Sequence, residues 1–357
     1  MKKIREFNQI SFFKNEPSGL FIQGREINSF LNDDFDEIFT LPTLLDYQVV
    51  DCRDYYLITT NFEYTKIYRE GDEVLKLYNY GYLLNHENVF LLENYETNVI
   101  QLFDIKSNIF SPTYIKKWGQ PFWGTSLFIK EKKVLVSYSL TDFSPLWQYE
   151  LPESLYNWTD GGGYAHKGEI ERIIGIYEEI LWVSLNSGRL LGINAGTGVL
   201  LYNISQPNQY PEGYVFREET KYLWYGRHWQ LDSQKGILFG LTSCYYFELD
   251  LNKPNETFAL YDISATCEQH RIKANMPVLE WSWQGDEIFF GETDFGKGAS
   301  YAGIFNRQIR QITWTSRELG EEGVFKGINK IEYQANRLYV LDRAGTLHIF
   351  ERDSPAG

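Results

Sequence analysis

With 357 residues, 43% of them hydrophobic and 17% aromatic, the chain is long and apolar enough to bury a large core. That excludes both a disordered protein and a small scaffold dependent on covalent staples. Its 48 Asp and Glu against 34 Lys and Arg give a net charge of −14, the wrong sign for gripping a phosphate backbone and a suitable one for meeting a basic protein.

In chain order, the opening MKKIREFNQISFFKNE starts with lysines, but Glu6, Asn8, Gln9 and Lys14 interrupt any apolar stretch, so it does not read as an export signal. No apolar run approaches the roughly 18 to 20 residues that span a bilayer. Cys52, Cys244 and Cys267 have no paired spacing, which predicts three reduced thiols and neither a disulfide framework nor a zinc site. A soluble cytoplasmic protein is the expectation. Sustained helical periodicity is missing, and short aromatic and β-branched runs recur instead. They begin at Tyr56 (YLITT), Val89 (VFLLENY), Val134 (VLVSYS), Leu181 (LWVSL), Ile237 (ILFGLT), Ile288 (IFFGET) and Leu338 (LYVLD), each followed by a polar turn and another strand. One further candidate strand precedes each run, in YQVVDCR, GYLLN, TSLFIK, IERIIGI, HWQLD, VLEWSW and GINKIEY. The repeating units therefore start near Tyr47, Tyr82, Thr125, Glu169, Tyr225, Val278 and Gly327.

The register tightens in the second half. Asn194, Asp250 and Asn306 end third strands at intervals of 56 residues, and the aromatics Tyr202, Phe258 and Trp314 each lie eight positions further on. A turn at Asn or Asp followed by a large ring suits stacked four-stranded sheets, where the ring fills the wedge between neighbours. Seven units of four strands predict an all-β fold, a single seven-bladed β-propeller. The last unit runs out after three strands at HIFERDSPAG, so one domain spanning residues 1–357 is expected, its N-terminal residues closing the C-terminal blade. An eighth blade around GLFIQGREINSF is the alternative.

The stretch LWVSLNSGRLLGINAGTGVLLYNIS, residues 181 to 205, resembles the repeat of pyrroloquinoline-quinone-like propellers, whose signature is Ala-x-Asp-x-x-(Thr/Ala)-Gly-x-x-x-Trp. Asn194, Thr197, Gly198 and Tyr202 occupy the Asp, Thr, Gly and Trp positions, and Gly192 replaces the Ala. The units containing Asp250 and Asn306 keep only the acidic or amide position and the aromatic. The resemblance implies the fold and blade-to-blade docking. It does not carry over the quinone enzyme, because adjacent cysteines and an export signal are missing, so no cofactor is expected.

Seven of the ten tryptophans fall in WGQPFWG, YNWTDGGGYAH, LWYGRHWQ and EWSWQGDE, before or within the first strands of their units. Propeller topology places those connections, with the loops between second and third strands, on one face. This predicts a partner-binding site of Trp118, Trp123, Trp158, Trp224, Arg227, His228 and Trp281, since Trp and Arg concentrate interface energy. Glu93, Asp142, Glu292 and Asp294 lie near second-to-third-strand turns and read as solvated acids. Asp160 and its three glycines lack the Lys-Ser/Thr pair of a phosphate loop. His166 with Glu169, and His228 with Cys244, lack metal-ligand spacing, so no metal is expected. The sequence thus reads as a non-catalytic, monomeric interaction module with an acidic, Trp-rich face, of the immunity or antitoxin type that masks a basic toxin. Binding or cleavage of carbohydrate by the same tryptophans is the competing reading.

Overall fold

The computed structural model describes the chain outside residues 17–18, 26–27, 41–47, 54–55, 61–63, 70, 87–88, 98, 105–106, 108, 112–119, 143, 160–163, 213–228, 243–244, 273–277, 295–298 and 353–357. It is an all-β propeller of four-stranded antiparallel blades with little helix. In chain order the sheets are A (10–40), B (48–78), C (80–110), D (120–150), E (170–204), F (230–262), G (278–315) and H (328–351), in each of which consecutive strands pair as a meander. Sheets B to H are the seven units read from the sequence. Sheet A is the additional blade held as the alternative, so residues 10–40 build a complete sheet of their own. The edge of H is supplied by Lys2–Phe7, which pairs antiparallel with Leu347–Glu351 as the unfinished last repeat requires.

One unit starts elsewhere than the sequence indicates. Gln120–Trp123 forms the first strand of D, pairing with Leu127–Glu131, so this sheet begins at Gln120 and TSLFIK is its second strand. Pro121 and the flanking Gly119 and Gly124 give the stretch the composition of a loop, and strand pairing overrides it. Tyr225, the expected start of F, lies outside the described residues, which take up this sheet at Gln230–Asp232.

Two compact units account for the chain, Met1–Tyr82 with Ile263–Gly357, and Leu83–Asp262. In the second unit the core lies in the seams between consecutive sheets. Leu91 and Ile100 meet Leu127 and Ile129 between C and D, Phe128 and Leu135 meet Ile173 and Val183 between D and E, and Trp182 and Leu190 meet Phe247 and Leu260 between E and F. In the first unit Phe289 and Trp314 of G pack with Leu338 and Phe350 of H, and Leu347 and Ile349 of H with Phe13 and Leu20 of A. Because second strands are covered on both faces, Leu181–Leu185 are buried without alternation, as are Phe90–Leu92 and Leu338–Asp342. These continuous runs are the apolar stretches visible in the sequence.

Local chemistry fixes the turns between third and fourth strands. The Asn194 side chain accepts from the backbone N–H groups of Gly196 and Thr197 and from the Thr197 hydroxyl. Asp250 does the same for Asn252, Asn306 for Gln308 and Ile309, and Asn32 of sheet A for Asp34 and Asp36. Gly198, at φ 74°, completes the turn of E, and an added Cβ would stand 2.7 Å from the Trp147 indole. That indole donates to the Ala195 carbonyl at 2.8 Å, docking D on E. Gly192 is required as well, since Tyr202 and Trp182 stack over it with centroids 5.6 Å apart. Tyr202 and Trp314 hold equivalent places, opposite Gly192 and Ile304, each next to a bulge in the third-to-fourth-strand pairing. Sheet F has no such bulge: Ala259 takes that place, opposite Glu248, and Phe258 turns into the core against Trp229. Phe258 and Trp314 are buried, whereas Tyr202 is half-buried.

Cys267 is a buried cysteine on the helix Ser264–Gln269, Cys244 lies outside the described residues, and of Cys52 only the backbone is described. Trp182 is fully buried at the E–F seam, so Trp182→Ala should cost roughly 3 to 5 kcal/mol in urea unfolding, as large core deletions do. A loss below about 1 kcal/mol would mean the seam repacks without it.

Candidate functional site

Trp118, Trp224, Arg227 and His228 lie outside the described residues, and Trp123 ends the first strand of D with its side chain likewise outside them. Trp281 stands within the first strand of G, opposite Phe290 and partly buried, so it belongs to a blade and not to a connecting loop. Its neighbour Trp283 lies under the Arg307 guanidinium, 5.8 Å from the ring centroid. Trp229, from the same stretch as His228, is core, wedged against Phe247 and Phe258. Of the predicted set, Trp158 alone is described on a feature outside the four-stranded sheets.

That feature is a two-stranded ribbon, Asn157–Thr159 paired with Ala165–Lys167, inserted between the last strand of D, Pro145–Glu150, and the first strand of E, Ile170–Tyr177. Trp158 faces His166 across the ribbon, the rings stacked at 4.6 Å. Tyr164, beside His166, is 72% exposed. The base is tightly fastened. Gly168 donates its N–H to the Tyr156 carbonyl at 2.5 Å, and a Cβ on Gly168 would lie 2.1 Å from the Leu155 carbonyl oxygen. Asn186, in the turn between second and third strands of E, donates to the Lys167 carbonyl and accepts from the Glu169 N–H. Tyr156 carries Lys133 and Lys167 within about 5 Å of its ring centroid, a cation–π pair that braces the ribbon's root. The ribbon therefore leaves the blade at the end where the sequence leads one to expect the partner-binding face, and these contacts at its base hold it there.

The acids divide by environment. Asp142 is exposed and held below the usual carboxylate range by hydrogen bonds from Ser139 and Ser144, which makes it a turn-former. Glu93 is half-buried on the strand Val89–Asn94, and burial raises its pKa, contrary to a solvated acid. The Asp294 side chain lies outside the described residues. Glu292 is the clearest correction: it is 2% exposed and paired with Arg317, whose guanidinium lies 3.7 Å from the centroid of Tyr301, the residue opposite Glu292 in the neighbouring strand. Other cations tie the seams. Lys130 donates to the Ile170 carbonyl at 3.1 Å, Arg172 to the Trp229 carbonyl at 3.1 Å and Lys330 to the Phe13 carbonyl at 2.6 Å. Burial lowers the pKa of both Lys130 and Arg172.

Sequence reasoning missed a second polar group in the first unit. His348 is buried, its Nε2 3.4 Å from Asp342 and its Nδ1 3.5 Å from Glu6 of the N-terminal strand. The Phe325 ring packs on it edge-on at 4.9 Å. The motif Asp342-Arg-Ala-Gly-Thr346 carried a local signal, since Asp342 accepts from the Thr346 N–H, but nothing local announces Glu6. Among the described residues no cluster of three or more His, Cys, Asp or Glu has metal-binding geometry, and no helix is long and apolar enough to cross a membrane.

No family model matches the chain, and no curated protein matches it. Solved structures do. The computationally designed Ika8 protein aligns with TM-score 0.61 at 10% identity over 97% of this chain and 96% of its own. Sqt1 of Saccharomyces cerevisiae gives 0.60 at 11% over 99% and 100%. BamB of Moraxella catarrhalis, a propeller of pyrroloquinoline-quinone-like repeats, gives 0.50 at 10% over 85% and 96%. At these identities the likeness is one of fold, the β-propeller.

A structural reading of Glu292 has its own test. Glu292→Gln leaves Arg317 facing an uncharged buried partner and should destabilise the first unit by about 3 to 5 kcal/mol, while joint replacement by Glu292→Leu and Arg317→Met recovers most of the loss. Full stability of the single variant in urea unfolding would show that the pair does not hold the sheet.

Proposed function

We propose that this chain is a protein-interaction propeller whose partner docks on the ribbon Asn157–Thr159/Ala165–Lys167 through Trp158 and Tyr164. One observation carries the reading: an aromatic ribbon that belongs to no blade is fastened rigidly at its base and exposes Tyr164 at 72%. Rigid aromatics supply contact area at low entropic cost, and a preformed surface spends little binding energy on ordering. The net charge of −14 favours a basic partner. Ion pairs such as Lys66–Glu73, Lys133–Glu150, Lys330–Glu332 and Arg352–Glu287 remove cations and anions in equal number, so the acidic excess remains. The undescribed Trp118, Trp224, Arg227 and His228 belong to this reading as further contacts, with the immunity or antitoxin role as its specific form. The similarity to pyrroloquinoline-quinone-like repeats contributes the blade architecture and no cofactor.

Affinity capture from the native cell, run with the wild-type chain and with Trp158→Ala/Tyr164→Ala, identifies proteins retained by the first and lost by the second. Titration of that protein should show Tyr164→Ala weakening binding about thirtyfold, equal to about 2 kcal/mol, with an unchanged melting temperature. Unchanged affinity would remove the ribbon from the interface. Retention of an oligosaccharide in place of a protein, lost in the same variants, would replace the partner with carbohydrate.

A further inference from the structure

The strand Lys2–Phe7 is attached to sheet H by one edge pairing, from Lys2 opposite Glu351 to Phe7 opposite Leu347, with a register shift between Lys3 and Arg5. Its residues are exposed or half-buried, and the residue opposite Glu6 is the buried His348. An imidazole there is caught between two elements. Asp342 faces it from Arg337–Asp342 of its own sheet, Glu6 and Lys3 face it from the N-terminal strand, and Phe325, before the strand Ile328–Gln334, covers it with an uncharged ring. Both carboxylates stand at the long edge of hydrogen-bonding distance, and Glu6 is already engaged by Lys3 at 2.5 Å. Each favours the protonated ring, but neither comes close enough to replace the water that burial removes.

We propose that His348, with Asp342, Glu6 and Lys3, forms an acid-sensitive clasp that releases the N-terminal strand from Leu347–Glu351 when the imidazole takes up a proton. The direction follows from the balance at the ring. Burial first, then Lys3, lowers the His348 pKa below 6.5 and outweighs the two acids. A depressed basic group contributes stability that is complete above the free imidazole value and is lost as pH falls through it towards the folded value. Glu6 shifts downward as well, through its hydrogen bond from Lys3, so it stays ionised over this window. Release would leave Leu347–Glu351 as an open sheet edge, able to pair with another strand.

Hydrogen exchange followed by mass spectrometry, corrected for intrinsic rates, tests this on the full chain. Between about pH 7.5 and about pH 5.5 the protection of amides in Lys2–Phe7 should fall by up to about tenfold, the limit set by a group that titrates at about 6.5 in the open state and takes up no proton in the closed one. The strand Leu190–Asn194 of the second unit should keep its protection. In His348→Gln the pH dependence of Lys2–Phe7 should vanish. Should that variant fail to fold, the C2–H resonance of His348 in the wild type should titrate below 6.5. Protection that holds or rises on acidification, or a titration midpoint above 6.5, would overturn the clasp.

Discussion

Everything in this molecule depends on the fact that a four-stranded sheet with apolar side chains on both faces cannot be stable alone. Leu181, Trp182 and Val183 point alternately to opposite sides of sheet E, and all three are buried because D covers one side and F the other. At about 25 cal/mol per Å² of apolar surface, side chains of this size supply the main driving force, and they supply it only when consecutive sheets meet. The unpaired end of H poses the same problem in hydrogen bonds, and Lys2–Phe7 solves it. Stability in each unit is thus a chain of nearest-neighbour seams, with polar groups placed where they can tie one seam to the next.

That arrangement explains what happens to the charged residues. Lys130, Arg172 and Lys330 each reach a backbone carbonyl in or just before the first strand of an adjacent sheet. Such a cation is desolvated and satisfied at once, and its loss would open a seam more than it would alter a surface. Glu292 with Arg317 ties a strand of G to the 3-10 turn that follows the sheet, and Asp342 with His348 joins neighbouring strands of H. Of the acids near the second-to-third-strand turns, Glu292 is committed to an ion pair and Asp142 to its own turn. The ribbon that bears Trp158 and Tyr164 is different, since it stands outside the four-stranded sheets and leaves Tyr164 72% exposed.

How much was legible follows from the range of each interaction. Asn194, Asp250 and Asn306 could be read as turn-formers because their bonds reach only two or three residues ahead. Second strands could be read because burial on both faces makes them continuous apolar runs. The first strand of D could not, since Pro121 and two glycines disguise a strand held by its partner. Sheet A showed only as a fragment, as its outer strand Glu37–Thr40 is polar and exposed. The ribbon was hidden because Asp160-Gly-Gly-Gly163 reads as a loop. Glu292 and Arg317 are 25 positions apart, and Glu6 and His348 lie near opposite ends of the chain, so no pattern of spacing could join them.

On the proposed reading, cohesion resides in the seams between sheets and partner recognition in the ribbon. Replacing residues 158–166 by a short Gly-Ser turn, with Leu155, Tyr156 and Gly168 retained at the base, separates the two most directly. Measured together, the thermal unfolding midpoint should stay within about 2 °C of the full chain, the size expected for a surface change in a protein of this length, while partner binding disappears. A fall of about 5 °C or more, or binding that survives the replacement, would contradict the account.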